Sequence, residues 1–165
     1  MNSQELLDYF VSLELNYELF SHKAIFSAQD GVDLLELISG VHCKNLFLKD
    51  KNNNFFLVSV LDYKRVDLKN LALKLNALRF SFANPDELLR YLGVTPGSVT
   101  PYGLVHDTKK QVKFYLDQDI ANASRVNFHP LINNQTVSMS NRDFLEFFKK
   151  IDHSPVVIEI PVANS

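Results

Sequence analysis

The residues best suited to chemistry stand inside the segment 41–49, which has the residue pattern of a β-strand. Successive side chains of a strand point to opposite faces, so Lys44 shares a face with two leucines and Asn45 points the other way. An ammonium group among leucines is unfavourable unless it meets an anion or a polar cavity. Lys44 is therefore either an anion-binding group or a residue at a frayed strand end whose side chain reaches water.

A second candidate is the segment 93–101, in which two glycines and two prolines occur within nine residues. This composition predicts a rigid, bent loop whose backbone N–H groups are free to bond a substrate oxygen, although a plain structural turn fits it equally well. Ser98 stands in this loop without the Gly-x-Ser-x-Gly spacing of a nucleophilic serine, which argues against a serine hydrolase.

Histidine and cysteine give weaker signals. His129 ends the strand-like run 125–129 and is either a structural residue or one that contacts substrate. The other four histidines lack metal-binding spacing and Cys43 is the only cysteine, so neither a metal site nor an internal disulfide is expected. Cys43 follows His42, but adjacent strand residues face opposite ways, which favours an inert buried thiol over a nucleophile.

The composition sets limits on the class of protein. At 165 residues, with 17 basic and 19 acidic side chains, the chain fits a single domain spanning 1–165 without excess positive charge. This balance disfavours unselective coating of nucleic acid, so a nucleic-acid partner would meet a local patch, and no DNA partner is expected. Because the sequence has one cysteine, no apolar run near ~20 residues and no basic segment at its start, we expect a cytoplasmic protein without a membrane partner.

The elements that would position these residues follow from capping signals and hydrophobic periodicity. Capped amphipathic helices are predicted from Ser3 to about Asn16, from Ser27 to Gly40, from Asp67, from Asn84 to Gly93 and from Ser140. Strands are predicted over 41–49, 55–61, 102–106, 112–116, 125–129, 136–139 and 156–160. The segment 55–61 is almost entirely apolar, which indicates a strand covered on both faces. The pattern predicts an α+β domain with a mixed sheet.

Three blocks of this sequence, residues 42–50, 91–103 and 127–131, resemble those of the YbaK / prolyl-tRNA-synthetase-associated domain family. Within it they are most similar to the free-standing alanyl-tRNA(Pro) deacylases of the ProXp-ala or PrdX type. The resemblance runs in order from about residue 22 to about residue 160. It implies a barrel-like mixed sheet with surrounding helices.

The resemblance also implies an activity: trans-editing hydrolysis of the ester in mischarged Ala-tRNA(Pro), without metal, cofactor or covalent nucleophile. A synthetase pocket that holds proline excludes the smaller alanine poorly, since a missing methylene is worth only about 1–3 kcal/mol. A second site then hydrolyses the mischarged alanyl ester. The expected partners are the acceptor end of tRNA(Pro) carrying alanine and, less directly, prolyl-tRNA synthetase. The attacking water is expected to be assisted by the hydroxyl of the terminal ribose.

The family motifs assign roles to the segments described first. By resemblance, Lys44 anchors the 3′-terminal adenosine through its phosphate, and Asn45 holds the terminal nucleotide or the aminoacyl group. Gly97 and Ser98 supply backbone contacts at the scissile ester, and Pro101 fixes the loop.

Further roles are assigned on the same ground. His129 is expected to orient substrate or water, while Asn133 and Thr136 add polarity to the aminoacyl pocket. Basic residues expected to contact the acceptor-stem backbone, unless they are plain surface charges, are Arg79 and, as weaker candidates, Lys64 and Arg65.

Three alternatives stay open at this point. A deacylase of the same family would act on Cys-tRNA(Pro) or another small aminoacyl ester, because the volume of the pocket decides between them. A non-catalytic module would bind tRNA or the synthetase through Lys44 and turn over nothing. An unrelated thiol or serine hydrolase would depend on Cys43 or Ser98.

Overall fold

Among residues 1–24 and 38–164, which the computed structural model describes, eight strands form one mixed sheet. They are β1 (Glu18–Ser21), β2 (Val41–Lys49), β3 (Phe55–Leu61), β4 (Ser81–Phe82), β5 (Val112–Asp117), β6 (Arg125–Phe128), β7 (Gln135–Ser140) and β8 (Val156–Ile158). The strand order is β1-β7-β6-β2-β3-β5-β8, with the short β4 paired to β2. Three pairs are parallel, β2–β6, β3–β5 and β5–β8, so the predicted mixed sheet is confirmed.

The described helices lie on both sides of this sheet. They are α1 (Ser3–Ser12), α2 (Leu68–Lys74), α3 (Pro85–Leu92), a 3-10 helix (Pro101–His106), α4 (Gln118–Ala121) and α5 (Asn141–Lys150). The predicted caps at Asp67, Asn84 and Ser140 are confirmed, whereas α1 is capped by Asn2 and ends at Ser12, short of the predicted boundary. The helix predicted from Ser27 to Gly40 lies mostly outside the described residues.

The strand predicted over 102–106 is wrong, because this segment forms the 3-10 helix. Thr100 Oγ1 accepts a hydrogen bond from the Tyr102 N–H, and Pro101 occupies the first helical position. Gly103 packs so closely on α3 that a Cβ there would lie 2.7 Å from the Leu92 carbonyl oxygen. These features favour a tight helical turn over an extended strand.

One face of the sheet, named the inner face, is mostly apolar. It carries Phe47 of β2 and the alternate residues of β6 and β7, and it packs against α1, α5 and the 3-10 helix. Its buried members include Val126, Phe128, Val137 and Met139 from the sheet with Phe10, Tyr102, Phe144 and Phe148 from the helices. This face holds the larger of the two cores.

The opposite face, named the mixed face, divides into two halves. Its apolar half carries buried Leu48 and Val58, which pack with Leu71 of α2. Its polar half lies on β6, β7 and the start of β2, where Lys44 shares the face of Leu46 and Leu48 as predicted. The buried polar side chains of this half are Asn127, Thr136 and Ser138.

The ends of the sheet are β1 and β8, and no hydrogen-bonded pair joins them within residues 1–24 and 38–164. The barrel-like closure is therefore not confirmed and stays a prediction. In the same ranges no helix is both long and apolar enough to cross a bilayer.

Candidate functional site

The register between β6 and β7 brings a histidine and a threonine together on the polar half. The two strands are antiparallel and pair Phe128 with Val137. One step further in this register places His129, the residue after β6, opposite Thr136. The His129 ring confirms this proximity, since its Nδ1 lies 2.8 Å from the backbone oxygen of Gln135, the neighbour of Thr136.

The register between β2 and β6 adds the lysine to this group. The strands are parallel and pair His42 with Asn127. Extending this register by two residues beyond its last pair places Lys44 level with His129 on the same face. On the far side, β1 pairs Phe20 with Thr136. The four residues, named the cross-sheet row below, are Lys44, His129, Thr136 and Phe20.

The Lys44 ammonium is the charged member of this row. In residues 1–24 and 38–164 it makes no ion pair or hydrogen bond, although another lysine of β2, Lys49, lies 2.9 Å from Glu87. Its partner across the β2–β3 ladder is Val60, which is fully buried, and the extended β2–β6 register places His129 on its polar side. A half-buried cation between these neighbours is suited to bind an anion.

The His129 ring has a defined protonation pattern. Because the Gln135 carbonyl can only accept a hydrogen bond, His129 Nδ1 donates to it, and in the neutral ring Nε2 keeps its lone pair. Burial lowers the pKa of His129 below the ordinary 6.5, and the nearby His22 lowers it further, while the bond to Gln135 opposes both. His129 is therefore a neutral hydrogen-bond acceptor at neutral pH.

A second histidine, His22, stands beside the row and was missed as a site residue in the sequence. Its Nε2 lies 2.8 Å from Thr136 Oγ1, its Nδ1 lies 2.6 Å from the Lys23 backbone oxygen, and its ring centroid is 6.1 Å from that of His129. The sequence was searched for metal-ligand spacing, which His22 lacks. Its place follows only from the pairing of β1 with β7.

Asn45 points away from the face of Lys44, as strand alternation indicates. Its side chain points to the inner face, where Nδ2 donates to the Val99 carbonyl at 3.1 Å and Oδ1 accepts from Ser59 Oγ at 2.6 Å. The structure therefore does not bring Asn45 into the cross-sheet row. Instead, Asn45 ties the glycine-proline loop to β2 at the residue next to Lys44.

Of the two loop amides predicted to contact the ester, those of Gly97 and Ser98, only one lacks a partner within the described part of the chain. The Ser98 N–H is bonded to the Thr95 carbonyl at 3.0 Å, so it is not available to an ester without breaking this turn. Gly97 adopts a left-handed φ of 87°, and its N–H has no partner within the described part of the chain. Pro101 begins the 3-10 helix and is buried, which holds the end of the loop.

The other predicted residues lie at three separate places. Asn133 is half-buried in the turn before β7, next to Asn134, whose carbonyl accepts from the His22 N–H. Arg79 is exposed near the opposite end of β2, away from the row. Lys64 lies 2.8 Å from Asp117 and 2.5 Å from Asp119, so its charge is already paired, whereas Arg65 is exposed.

Neither metal nor thiol chemistry has a clear site in these ranges. No group of three histidine, cysteine, aspartate or glutamate side chains is placed to hold a metal within residues 1–24 and 38–164. Burial raises the pKa of the Cys43 thiol well above its ordinary value, and the carboxylates of Asp62 and Asp117 raise it further. Cys43 is therefore a protonated thiol at neutral pH, which is the opposite of an activated nucleophile.

Fold and site together define an α+β domain that presents a cation, a neutral histidine and a hydroxyl in one line on a sheet face. Such an arrangement suits a small ligand that carries both an anionic group and polar atoms. The model of the aminoacyl-tRNA editing domain matches residues 22–147. The chain belongs to the aminoacyl-tRNA editing domain family, as its sequence motifs predicted.

Individual relatives agree with this assignment. The chain is 37% identical over 160 residues to prolyl-tRNA synthetase associated domain-containing protein 1 of Xenopus laevis, covering 94% of this chain and 95% of that protein. It is 31% identical over 150 residues to the prolyl-tRNA editing protein ProX of Acetoanaerobium sticklandii, with 90% and 91% covered. A solved structure described in terms of trans-editing for prolyl tRNA synthetase superposes with a TM-score of 0.73 over 99% of both chains. At 16% identity, that last likeness concerns the fold alone.

Proposed function

We propose that this protein is a trans-editing deacylase that hydrolyses the ester of Ala-tRNA(Pro) in the cytoplasm. The observation that carries the proposal is the cross-sheet row, in which the extended β2–β6 register places the Lys44 ammonium, without a partner in residues 1–24 and 38–164, level with the neutral His129 ring. Two relatives support the choice of tRNA, since one is named for association with prolyl-tRNA synthetase and another for prolyl-tRNA editing. The same names make the synthetase a candidate partner.

Lys44 binds the phosphate of the 3′-terminal adenosine in this proposal. A charge-assisted contact between an ammonium and a phosphate is stronger than a neutral hydrogen bond, and it holds the nucleotide without reading its base. The position of Lys44 is fixed because β2 is hydrogen-bonded on both sides, to β3 along its length and to β6 at its start.

The chemical step needs no side chain as a nucleophile. Water attacks the ester carbonyl carbon, its proton passes to the free hydroxyl of the terminal ribose, and that hydroxyl gives its own proton to the departing ester oxygen. The products are alanine and a tRNA with both ribose hydroxyls. The family resemblance assigns the Gly97 N–H to the developing oxyanion, and in this proposal the His129 Nε2 lone pair orients the aminoacyl group or the water.

The experiment measures deacylation of Ala-tRNA(Pro), Cys-tRNA(Pro), Pro-tRNA(Pro) and Ala-tRNA(Ala) at one salt concentration with a chelator present. We expect hydrolysis of Ala-tRNA(Pro) alone, because a small pocket rejects proline and contacts beyond the acceptor end select the tRNA. The matched control is Cys43→Ala, which is expected to retain full activity because the raised pKa keeps the thiol protonated.

Preference for the cysteinyl ester would replace alanine by cysteine as the substrate. Loss of activity in Cys43→Ala would instead indicate a thiol hydrolase. An absence of hydrolysis with all four esters, together with retained tRNA binding, would contradict catalysis and favour a binding module.

A further inference from the structure

Two hydrogen-bond acceptors of the cross-sheet row have their own hydrogens committed to other partners. His129 donates through Nδ1 to the Gln135 carbonyl, which leaves Nε2 as an acceptor. In the neutral His22 ring, Nδ1 donates to the Lys23 carbonyl and Nε2 accepts, and the only hydrogen available to that second bond is the Thr136 hydroxyl hydrogen. Thr136 Oγ1 is thereby left with lone pairs only.

These acceptors lie side by side on the polar half. Thr136 is 3% exposed, and His129 stands opposite it in the register of β6 and β7. Asn127, on the same face, uses its Nδ2 hydrogens on the Ser39 and Val41 carbonyls, and its buried Oδ1 has no donor within residues 1–24 and 38–164. Partly buried acceptors without donors are unfavourable, so this half is complementary to a ligand group that only donates.

We infer that His22 is a positioning residue that turns the Thr136 hydroxyl so that Thr136 and His129 accept hydrogen bonds from the α-ammonium of the aminoacyl group. The inference rests on the proposed function and extends it to a residue without an assigned role. The α-ammonium is the only group of an aminoacyl ester that donates and cannot accept. Its positive charge strengthens each bond to a neutral acceptor.

The row then fixes the direction in which the substrate lies. Neighbouring strands are about 4.8 Å apart, so Lys44 on β2 and Thr136 on β7 are separated by roughly 10 Å across β6. The phosphate binds at the Lys44 end, and the amino group binds at the Thr136 end, where Phe20 lies beyond it. This order keeps the ammonium of the substrate away from the ammonium of Lys44.

The test compares Ala-tRNA(Pro) with lactyl-tRNA(Pro), which carries a hydroxyl in place of the ammonium at nearly the same size. Rates are divided by the spontaneous hydrolysis rate of each ester. Wild type is expected to prefer the alanyl ester at least about tenfold, and His22→Leu and Thr136→Val are each expected to reduce this preference to near unity. The loss should lie mainly in KM, because the ammonium contacts exist before the transition state.

Conservative variants provide the matched controls. Thr136→Ser keeps the hydroxyl, and His22→Gln keeps an acceptor near the position of Nε2, so both should retain most of the preference. The double variant His22→Leu/Thr136→Val should lose no more than either single variant, because both act through one hydrogen bond.

Each other outcome has a distinct meaning. Equal rates on the two esters in wild type would overturn this inference and leave the deacylase proposal standing. The inference would also be overturned if His22→Leu kept the full preference for the alanyl ester while Thr136→Val lost it. If wild type hydrolyses neither ester, the proposed function fails and this inference fails with it.

Discussion

The two halves of the mixed face share one sheet and one strand, β2, but differ in what their buried groups need. In the apolar half, Leu48 is fully buried against side chains of its own kind. In the polar half, Thr136 is buried to nearly the same degree and retains unused lone pairs. Burial alone therefore does not separate a core from a binding site. The difference lies in whether each buried group finds its partner inside the protein.

The boundary between the halves falls at Lys44. On one side its neighbour across the ladder is Val60, and on the other it stands level with His129. The contrast with Lys64 is instructive, because Lys64 lies between the carboxylates of Asp117 and Asp119 and serves the structure. A lysine paired with carboxylates of its own chain contributes to the fold, whereas a lysine without such a partner is available to bind a ligand.

The largest predicted effects come from two single substitutions, one in the apolar half and one at the boundary. Leu48→Lys places an unpaired charge in the apolar half and should lower the free energy of unfolding by about 3–5 kcal/mol. Lys44→Leu should change it by less than about 1 kcal/mol but reduce kcat/KM for Ala-tRNA(Pro) by about tenfold to a hundredfold. Urea denaturation and deacylation assays measure the two quantities.

Lys69→Leu is the matched control for this exchange, since it removes an exposed lysine from α2. It should leave both stability and deacylation close to wild type. Equal activity of Lys44→Leu and Lys69→Leu would show that Lys44 does not anchor the substrate.

A smaller effect is expected from substitution of Asn45, a polar side chain on the inner face. Asn45→Ala leaves the Val99 carbonyl and the Ser59 hydroxyl without their partner, which should lower the free energy of unfolding by about 1–3 kcal/mol. It should also reduce kcat, because the loop that carries Gly97 loses its tie to β2.

Ser59→Ala serves as the comparison, since it breaks one of the two hydrogen bonds and leaves the Val99 contact intact. We expect it to reduce stability with less effect on kcat. If the two variants have the same kcat, Asn45 does not act through the loop.

The smallest predicted effect concerns the pH dependence of stability. The pKa of His129 is lowered by burial, so the unfolded chain takes up a proton at a higher pH than the folded chain. The stability that this neutral ring provides is complete above pH 6.5 and is lost as the pH falls through its lowered pKa. His129→Asn should therefore flatten the loss of stability below pH 6.5, as measured by urea denaturation at several pH values.

Because the His22 ring centroid lies 6.1 Å from that of His129, the comparison is repeated in a His22→Gln background. An identical acid slope with and without His129 in that background would contradict a neutral, buried His129.

Much of the fold was predictable because its signals are local. Asp67, Asn84 with Pro85, and Ser140 begin helices as their capping patterns indicate, and the apolar run 55–61 is buried at every position. The segment 102–106 was misread because its mixture of apolar and aromatic residues also suits a strand. The deciding feature, the packing of Gly103 against Leu92, depends on a neighbour in space.

The candidate site was predictable to a different extent. The family motifs pointed to His129 and Thr136, which the register of β6 and β7 aligns, while the face of Lys44 follows from strand alternation alone. The hydrogen bonds of Asn45 and His22 were not predictable, because they depend on Val99 and Thr136, which lie far away in the sequence. Strand alternation indicates the face to which a side chain points, but its hydrogen-bond partner is known only from the folded sheet.

The cross-sheet row also bears on the timing of folding. Its members come from β1, β2, β7 and the residue after β6, so apart from the local pair of His129 and Thr136 they meet through contacts of high sequence separation. Such contacts raise the contact order and delay folding, because the entropy of loop closure must be overcome before they stabilise anything. During synthesis the row is incomplete until β7 has left the ribosome.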